Sequence, residues 1–153
     1  NYNKDIKELL KKIKGIHLNL AAGEKKGSSL LYLKEDNSSF LKRKNFDITQ
    51  AKKIVKIDTL DNLLLRKIKS NTLLKIDTEG GELNVIKGAV EALRMGIIKN
   101  IQLESHNNDL RTNNKIEIFQ LLSNYTHQKT IKHYFGSFTE EFFSLNKDNL
   151  ANI

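Results

Sequence analysis

Two short segments concentrate the residue types that do chemistry. Lys75-Ile76-Asp77-Thr78-Glu79 closes one apolar stretch, and Leu103-Glu104-Ser105-His106 closes another. Alternate residues of an extended chain share a face, so Lys75, Asp77 and Glu79 fall on one side. Carboxylates and an ammonium on one side of a strand are costly to desolvate unless they pair or take part in a reaction. Neighbouring strands lie about 4.8 Å apart. If these two stretches are neighbours, Asp77, Glu79, Glu104 and His106 converge on one cleft. An imidazole beside Glu104 would be oriented and made more basic, which makes His106 the first choice for a general base. The structural alternative is a strand end in which Lys75 simply neutralises Asp77. His17, His127 and His133 have no acidic neighbour at useful spacing and read as ordinary surface or strand histidines.

The elements that would position these groups follow from periodicity. Residues 72–77 read as a strand, 79–81 as a tight turn and 82–94 as one amphipathic helix. Its buried stripe is Leu83, Ile86, Val90 and Leu93, flanked by Val85 and Ala89. Glu82 lies in the first turn, where the helix dipole favours a carboxylate, and capping is the role expected of it. Gly88 costs about 1 kcal/mol relative to Ala inside a helix, so it marks close packing against the sheet. Gly96 ends the helix, and 97–104 give the next strand. Strand, helix and strand in that span make a right-handed βαβ unit, with ligands expected beyond the carboxyl ends of its strands.

Around this unit the pattern is plainer. Residues 4–14 form a helix stopped by Gly15, 16–21 a strand, and 23–27 a turn. Short β-like pieces follow up to residue 57, interrupted by the polar stretch 35–50, and a helix covers 60–69 with Thr59 as N-cap. A helix near 114–124 precedes strands at 129–135 and 141–146, which predict a C-terminal antiparallel hairpin around Gly136 and Ser137. No repeat or Pro/Gly-rich linker divides the chain, so 1–153 is read as one domain.

Composition limits the function classes. The chain has 153 residues, 39% of them hydrophobic, and no Cys, Pro or Trp. Disulfides and thiolate zinc sites are excluded, and a cytoplasmic protein is the expectation. No apolar run approaches the roughly 18 residues that cross a bilayer, so no membrane span is expected. Twenty-six Lys and Arg against 18 Asp and Glu give a net charge of +8. Such charge invites nucleic acid. Only four of the basic residues are Arg, however, and the Lys are dispersed apart from Lys11-Lys12, Lys25-Lys26 and Lys42-Arg43-Lys44. The Lys/Asn/Ile bias is what an AT-rich genome produces, so no nucleic-acid partner is expected.

Four segments in order carry a family resemblance. LLKIDTEGGELNVIKGA (73–89) resembles the signature of the FkbM-type S-adenosylmethionine-dependent methyltransferases, a K-I-D-x-E-G strand end followed by a small residue, Glu and an apolar helix. LNLAAGEKKG (18–27) is similar to the family's Asn-x-Ala-x-Gly strand end, VKIDTLDNLL (55–64) to its T-x-L-D-x-L segment, and IQLESH (101–106) to its next strand. The resemblance implies an α/β, Rossmann-like class I methyltransferase fold with a mostly parallel sheet. It also implies methyl transfer to a hydroxyl on a small molecule or glycan, with S-adenosylmethionine as cofactor. Asp77 and Glu79 would position cofactor or acceptor, or hold a divalent metal. His106 beside Glu104 would take the proton, and Ala21 and Ala22 would line the adenine side, with Asp77 also on the cofactor.

One departure qualifies this. The family's D-x-G-x-x-x-G turn and the acidic residue that holds the ribose are missing, since no Gly precedes Gly15. The resemblance therefore implies an N-terminally truncated domain, an incomplete sheet, and a chain inactive by itself. Two other classes are weighed against it: a basic nucleic-acid-binding module and a carboxylate/His metal-dependent hydrolase.

Overall fold

The computed structural model describes residues 8–12, 15–32, 52–65, 72–78, 80–106, 109–133 and 138–146, with the backbone alone at His106 and 109–113. The polar stretch 35–50 and Glu79 lie outside the described residues. Helices are α1 (8–12), α2 (Leu60–Leu64), α3 (Glu82–Lys87), α4 (Val90–Arg94) and α5 (Asp109–Leu121). Strands are β1 (Ala21–Ala22), β2 (Gly27–Tyr32), β3 (Lys52–Asp58), β4 (Thr72–Ile76), β5 (Ile98–His106), β6 (Tyr125–His133) and β7 (Phe138–Leu145). They form a small sheet in the order β1-β3-β2 and a larger one in the order β4-β5-β7-β6.

The α/β class holds, but the sheet is not mostly parallel. β1 runs parallel to β3 and β4 parallel to β5, whereas β2·β3, β5·β7 and β6·β7 are antiparallel. The reason is connection length. Strands β6 and β7 are joined by a few residues, and a short connection allows only an antiparallel pair. β7 then inserts beside β5, and the expected C-terminal antiparallel pair is present. Because β5 and β6 both oppose β7, the carboxyl ends of β4, β5 and β6 lie along one edge of the sheet. The expected strand at 16–21 is reduced to Ala21–Ala22, with Ile16 and Leu18 exposed, because only these two residues find a partner in β3.

The core lies between the larger sheet and α3–α5. Ile76, Ile98, Ile101, Leu103 and Phe143 from the strands meet Val85, Ile86, Ala89, Ala92, Leu93 and Ile118 from the helices. Each fully buried aliphatic side chain contributes about 1.5–3 kcal/mol. The helical stripe differs from its expectation at one position, since Val90 is exposed. The cause is a break. Instead of one helix over 82–94, the chain forms two, separated at Gly88 and Ala89.

That break is where the small sheet docks. A Cβ on Gly88 would come within 2.0 Å of the Gly23 carbonyl oxygen, so only Gly admits the backbone beyond β1. The Gly88 carbonyl accepts from the Asp61 amide at 2.9 Å instead of extending the helix. The Asp61 carboxylate in turn accepts from Glu91 N at 3.1 Å and Ala92 N at 2.8 Å, capping α4 from another element. Thr59 caps α2 as expected, its Oγ1 accepting from Asn62 N. Gly96, at φ 63°, closes α4, with Ile97 N bonding Ala92 O and Gly96 N bonding Leu93 O. Among the described residues no helix is long and apolar enough to cross a membrane.

Gly88→Ala tests this reading by its sign. Helix propensity alone would stabilise the protein by about 1 kcal/mol, whereas overpacking against Gly23 should destabilise it by about 1–3 kcal/mol. Asp61→Ala should cost about 1–2 kcal/mol through the lost cap. Urea unfolding of both variants checks the two figures.

Candidate active site

The strand-end residues are brought together by the βαβ unit. Ile76 pairs with Leu103, so Asp77 follows at the position beside Glu104. Lys75 Nζ stands 3.6 Å from Asp77 Oδ2, with both side chains about half exposed, so the ion pair anticipated as the structural alternative is present. Such a pair contributes about 0–1 kcal/mol and leaves the carboxylate accessible. The turn that follows depends on Gly80, whose φ of 111° suits only glycine. Glu82 is buried and folds back over this turn. Its Oε1 accepts from Gly80 N at 2.7 Å and from Thr78 Oγ1 at 3.2 Å. Glu82 thus caps the turn and the helix start together.

Glu104 is half-buried and stands in register with Glu140 on β7. Glu140 Oε1 accepts from Gln102 Nε2 at 2.9 Å, and Oε2 bonds His133 Nε2 at 3.1 Å. The His133 bond holds the Glu140 carboxyl below its usual range; burial opposes it, and Gln102 and the charge of Lys75 reinforce it. His106 pairs in register with Phe138, which pairs with His133. One face of the sheet edge therefore holds Lys75, Asp77, Gln102, Glu104, Glu140 and His133, with the backbone of His106 in the same row. A narrow cleft lined by Glu82, Leu103, Glu104, Ser105, Asn114, Lys115 and Ile118 opens at the same end of β5.

The opposite face carries a second His–carboxylate pair. Glu141 is fully buried and accepts from Lys115 Nζ on α5, Thr130 Oγ1 at 2.6 Å and Thr139 Oγ1 at 2.9 Å, with His127 Nε2 at 2.9 Å. Burial pushes its pKa up, but the bonds from Lys115, Thr130, Thr139 and His127 outweigh burial and hold it at about 2. The His127 ring packs between Phe119 and Phe143, with centroids 5.4 and 5.1 Å away.

Two histidines expected to lack acidic partners thus have them. The acidic residues are far from them in sequence and arrive through β7. His127 and His133 are an even number apart and would share a face in a regular strand. The irregularity between His127 and Lys129 moves them to opposite faces, where consecutive Glu141 and Glu140 await them. The available signal was the alternation of β7 itself, Thr139-Glu140-Glu141-Phe142, which must send one carboxylate to each face.

Asp77 stands at the amino end of α3, whereas Ala21 and Ala22 lead into Gly23, against Gly88 at the other end of that helix. At 1.5 Å per residue the two places are about 10 Å apart along the helix. Ala22 packs onto the core. Among the described residues no three His, Asp or Glu come together as a metal site.

The four segments now stand in one fold, with the βαβ unit at its centre. The methyltransferase FkbM domain matches residues 3–129. The chain belongs to this family. No curated protein and no solved structure matches it. The FkbM match ends before His133 and β7, so Glu140, Glu141 and His133 lie outside the matched segment, whereas Gln102, Lys115 and His127 lie within it.

The Glu141 cluster sets an acid limit. Its folded pKa is depressed, from the usual 4.5 to about 2, so its stabilisation is complete above about 4.5 and is lost as pH falls toward 2. A shift of that size corresponds to roughly 3 kcal/mol. Urea midpoints should fall across this window in the parent protein, and Glu141→Gln should flatten that part of the profile while lowering stability at neutral pH.

Proposed function

We propose that this methyltransferase takes its methyl group from S-adenosylmethionine and transfers it to a hydroxyl of a sugar or other secondary metabolite. The supporting observation is the clustering of Asp77, Glu104 and Glu140 at the carboxyl edge of a sheet whose βαβ unit carries the family signature. Ligands of open α/β sheets bind beyond such edges. Methylating a hydroxyl requires alignment of the oxygen and removal of its proton, and carboxylates with neighbouring histidines supply both. In this reading Asp77 positions the reactants, Glu104 orients a base, and His106, at the end of β5, is the base to which the sequence points.

S-adenosylmethionine is the proposed methyl donor. The sequence offers no D-x-G-x-x-x-G turn to bring backbone amides to it. Binding by the chain alone is therefore expected to be weak. Titration calorimetry with S-adenosylmethionine checks this, and micromolar affinity would show that a different set of residues holds the cofactor.

Roles at the edge separate by substitution. Asp77→Asn should reduce methyl transfer by about 100-fold, the usual cost of misplacing a reactant by about 1 Å. Glu82→Gln should do much less, because the amide oxygen of Gln can still accept from Gly80 N and Thr78 Oγ1 and so keep the cap that places Asp77. Both are measured with labelled S-adenosylmethionine at millimolar concentration, alongside thermal melts, since Asp77→Asn also breaks the pair with Lys75. Equal losses for the two variants would remove Asp77 from the site.

A further inference from the structure

His133 is the last residue of β6 and stands at the same edge as Asp77 and Glu104. Its ring is fixed from two sides. Phe138 stacks on it at 4.7 Å between centroids and 9° between planes, and Nε2 lies 3.1 Å from Glu140 Oε2. Glu140 is itself anchored through its other oxygen by Gln102 Nε2 at 2.9 Å. With its carboxyl held below the usual range, Glu140 is ionised at neutral pH and can only accept. The proton of a neutral His133 must then sit on Nε2. Nδ1 is left with its lone pair and, among the described residues, makes no hydrogen bond. The side chain is 34% exposed, so a solute can reach it.

His127 shows the contrast. Its Nε2 faces both Glu141 and Thr130 Oγ1, and its ring is packed between two phenylalanines beneath α5. One pair holds the fold together, and the other presents an oriented acceptor atom at the rim.

We propose that His133, oriented by Glu140 and Gln102, is an acceptor-binding residue whose Nδ1 takes a hydrogen bond from a hydroxyl of the molecule to be methylated. This deepens the methyl-transfer reading above and rests on it. The chemical class is a polyhydroxylated acceptor. The aromatic pair of Phe138 and His133 borders the subsite, with Glu104 in register beside Glu140. A site built to bond a hydroxyl discriminates strongly against analogues that lack it, because its own polar atom is otherwise left unpaired.

The test uses the full chain labelled with ¹⁵N. Long-range ¹H–¹⁵N spectra at mildly alkaline pH should show His133 protonated on Nε2 alone. Methyl α-D-glucopyranoside, methyl α-D-mannopyranoside and methyl α-L-rhamnopyranoside, each added to tens of millimolar, should include at least one that shifts the His133 Nδ1 resonance saturably. Glu140→Gln should lose that shift, and His17→Ala, at an exposed histidine outside the edge, should keep it. A proton on Nδ1, a silent His133 with all three glycosides, or an undiminished response in Glu140→Gln would overturn the proposal. The methyl-transfer reading is scored separately, with labelled S-adenosylmethionine and the same glycosides. A His133 response keeps the subsite whether or not label is transferred, whereas transfer with a silent His133 removes the subsite and keeps the methyl-transfer reading.

Discussion

The larger sheet is organised around one buried charge. Glu141 has no solvent exposure, and an ionised carboxylate in that position is tolerated only if its lone pairs are filled. Its partners come from three elements: Lys115 from α5, His127 and Thr130 from β6, and Thr139 from its own strand. Satisfying them fixes the register of β6 on β7 and holds α5 against the sheet. A slip of one residue would turn Glu141 out of this set of partners and leave its charge without them. The constraint is therefore specific as well as stabilising.

The same register produces the open face. Once Glu141 is turned inward, Glu140 must face the other way, beside Gln102 and Glu104 and opposite His133. The irregularity in β6 between His127 and Lys129 is what lets one strand serve both faces. The polar edge is thus a consequence of how the core is closed. Asp77 joins it through the parallel pairing of β4 and β5, which depends on the glycine turn at Gly80 and the cap by Glu82.

Much of this was legible in the sequence where the signals were local. The change from strand to helix period at residues 72–94, the glycines at 80 and 96, and Thr59 as a cap all rest on contacts within a few residues. So did the adjacency of Asp77 and Glu104, because a βαβ unit makes its two strands neighbours. What was missed depends on distant partners. The helix breaks at Gly88 because Gly23, 65 positions earlier by the numbering, needs the space and Asp61 needs the carbonyl. His127 and His133 acquire carboxylates only through β7, and β6 is a mostly exposed edge strand whose polar residues hide its beginning at Tyr125. The strand expected at 16–21 failed for the same reason in reverse, as its alternation was good but its partner reached only two residues.

The family membership and the polar edge meet in one claim: ligands of this methyltransferase gather at the carboxyl ends of β4, β5 and β6. Hydrogen–deuterium exchange of the chain, with and without millimolar S-adenosylmethionine plus methyl glycosides, tests it directly. Slowed exchange is expected at 76–78, 80–82, 102–106, 131–133 and 138–142. Slowed exchange confined to the exposed hollow of Lys115, Ile116, Phe119 and Gln120 on α5, with the strand ends unchanged, would contradict it.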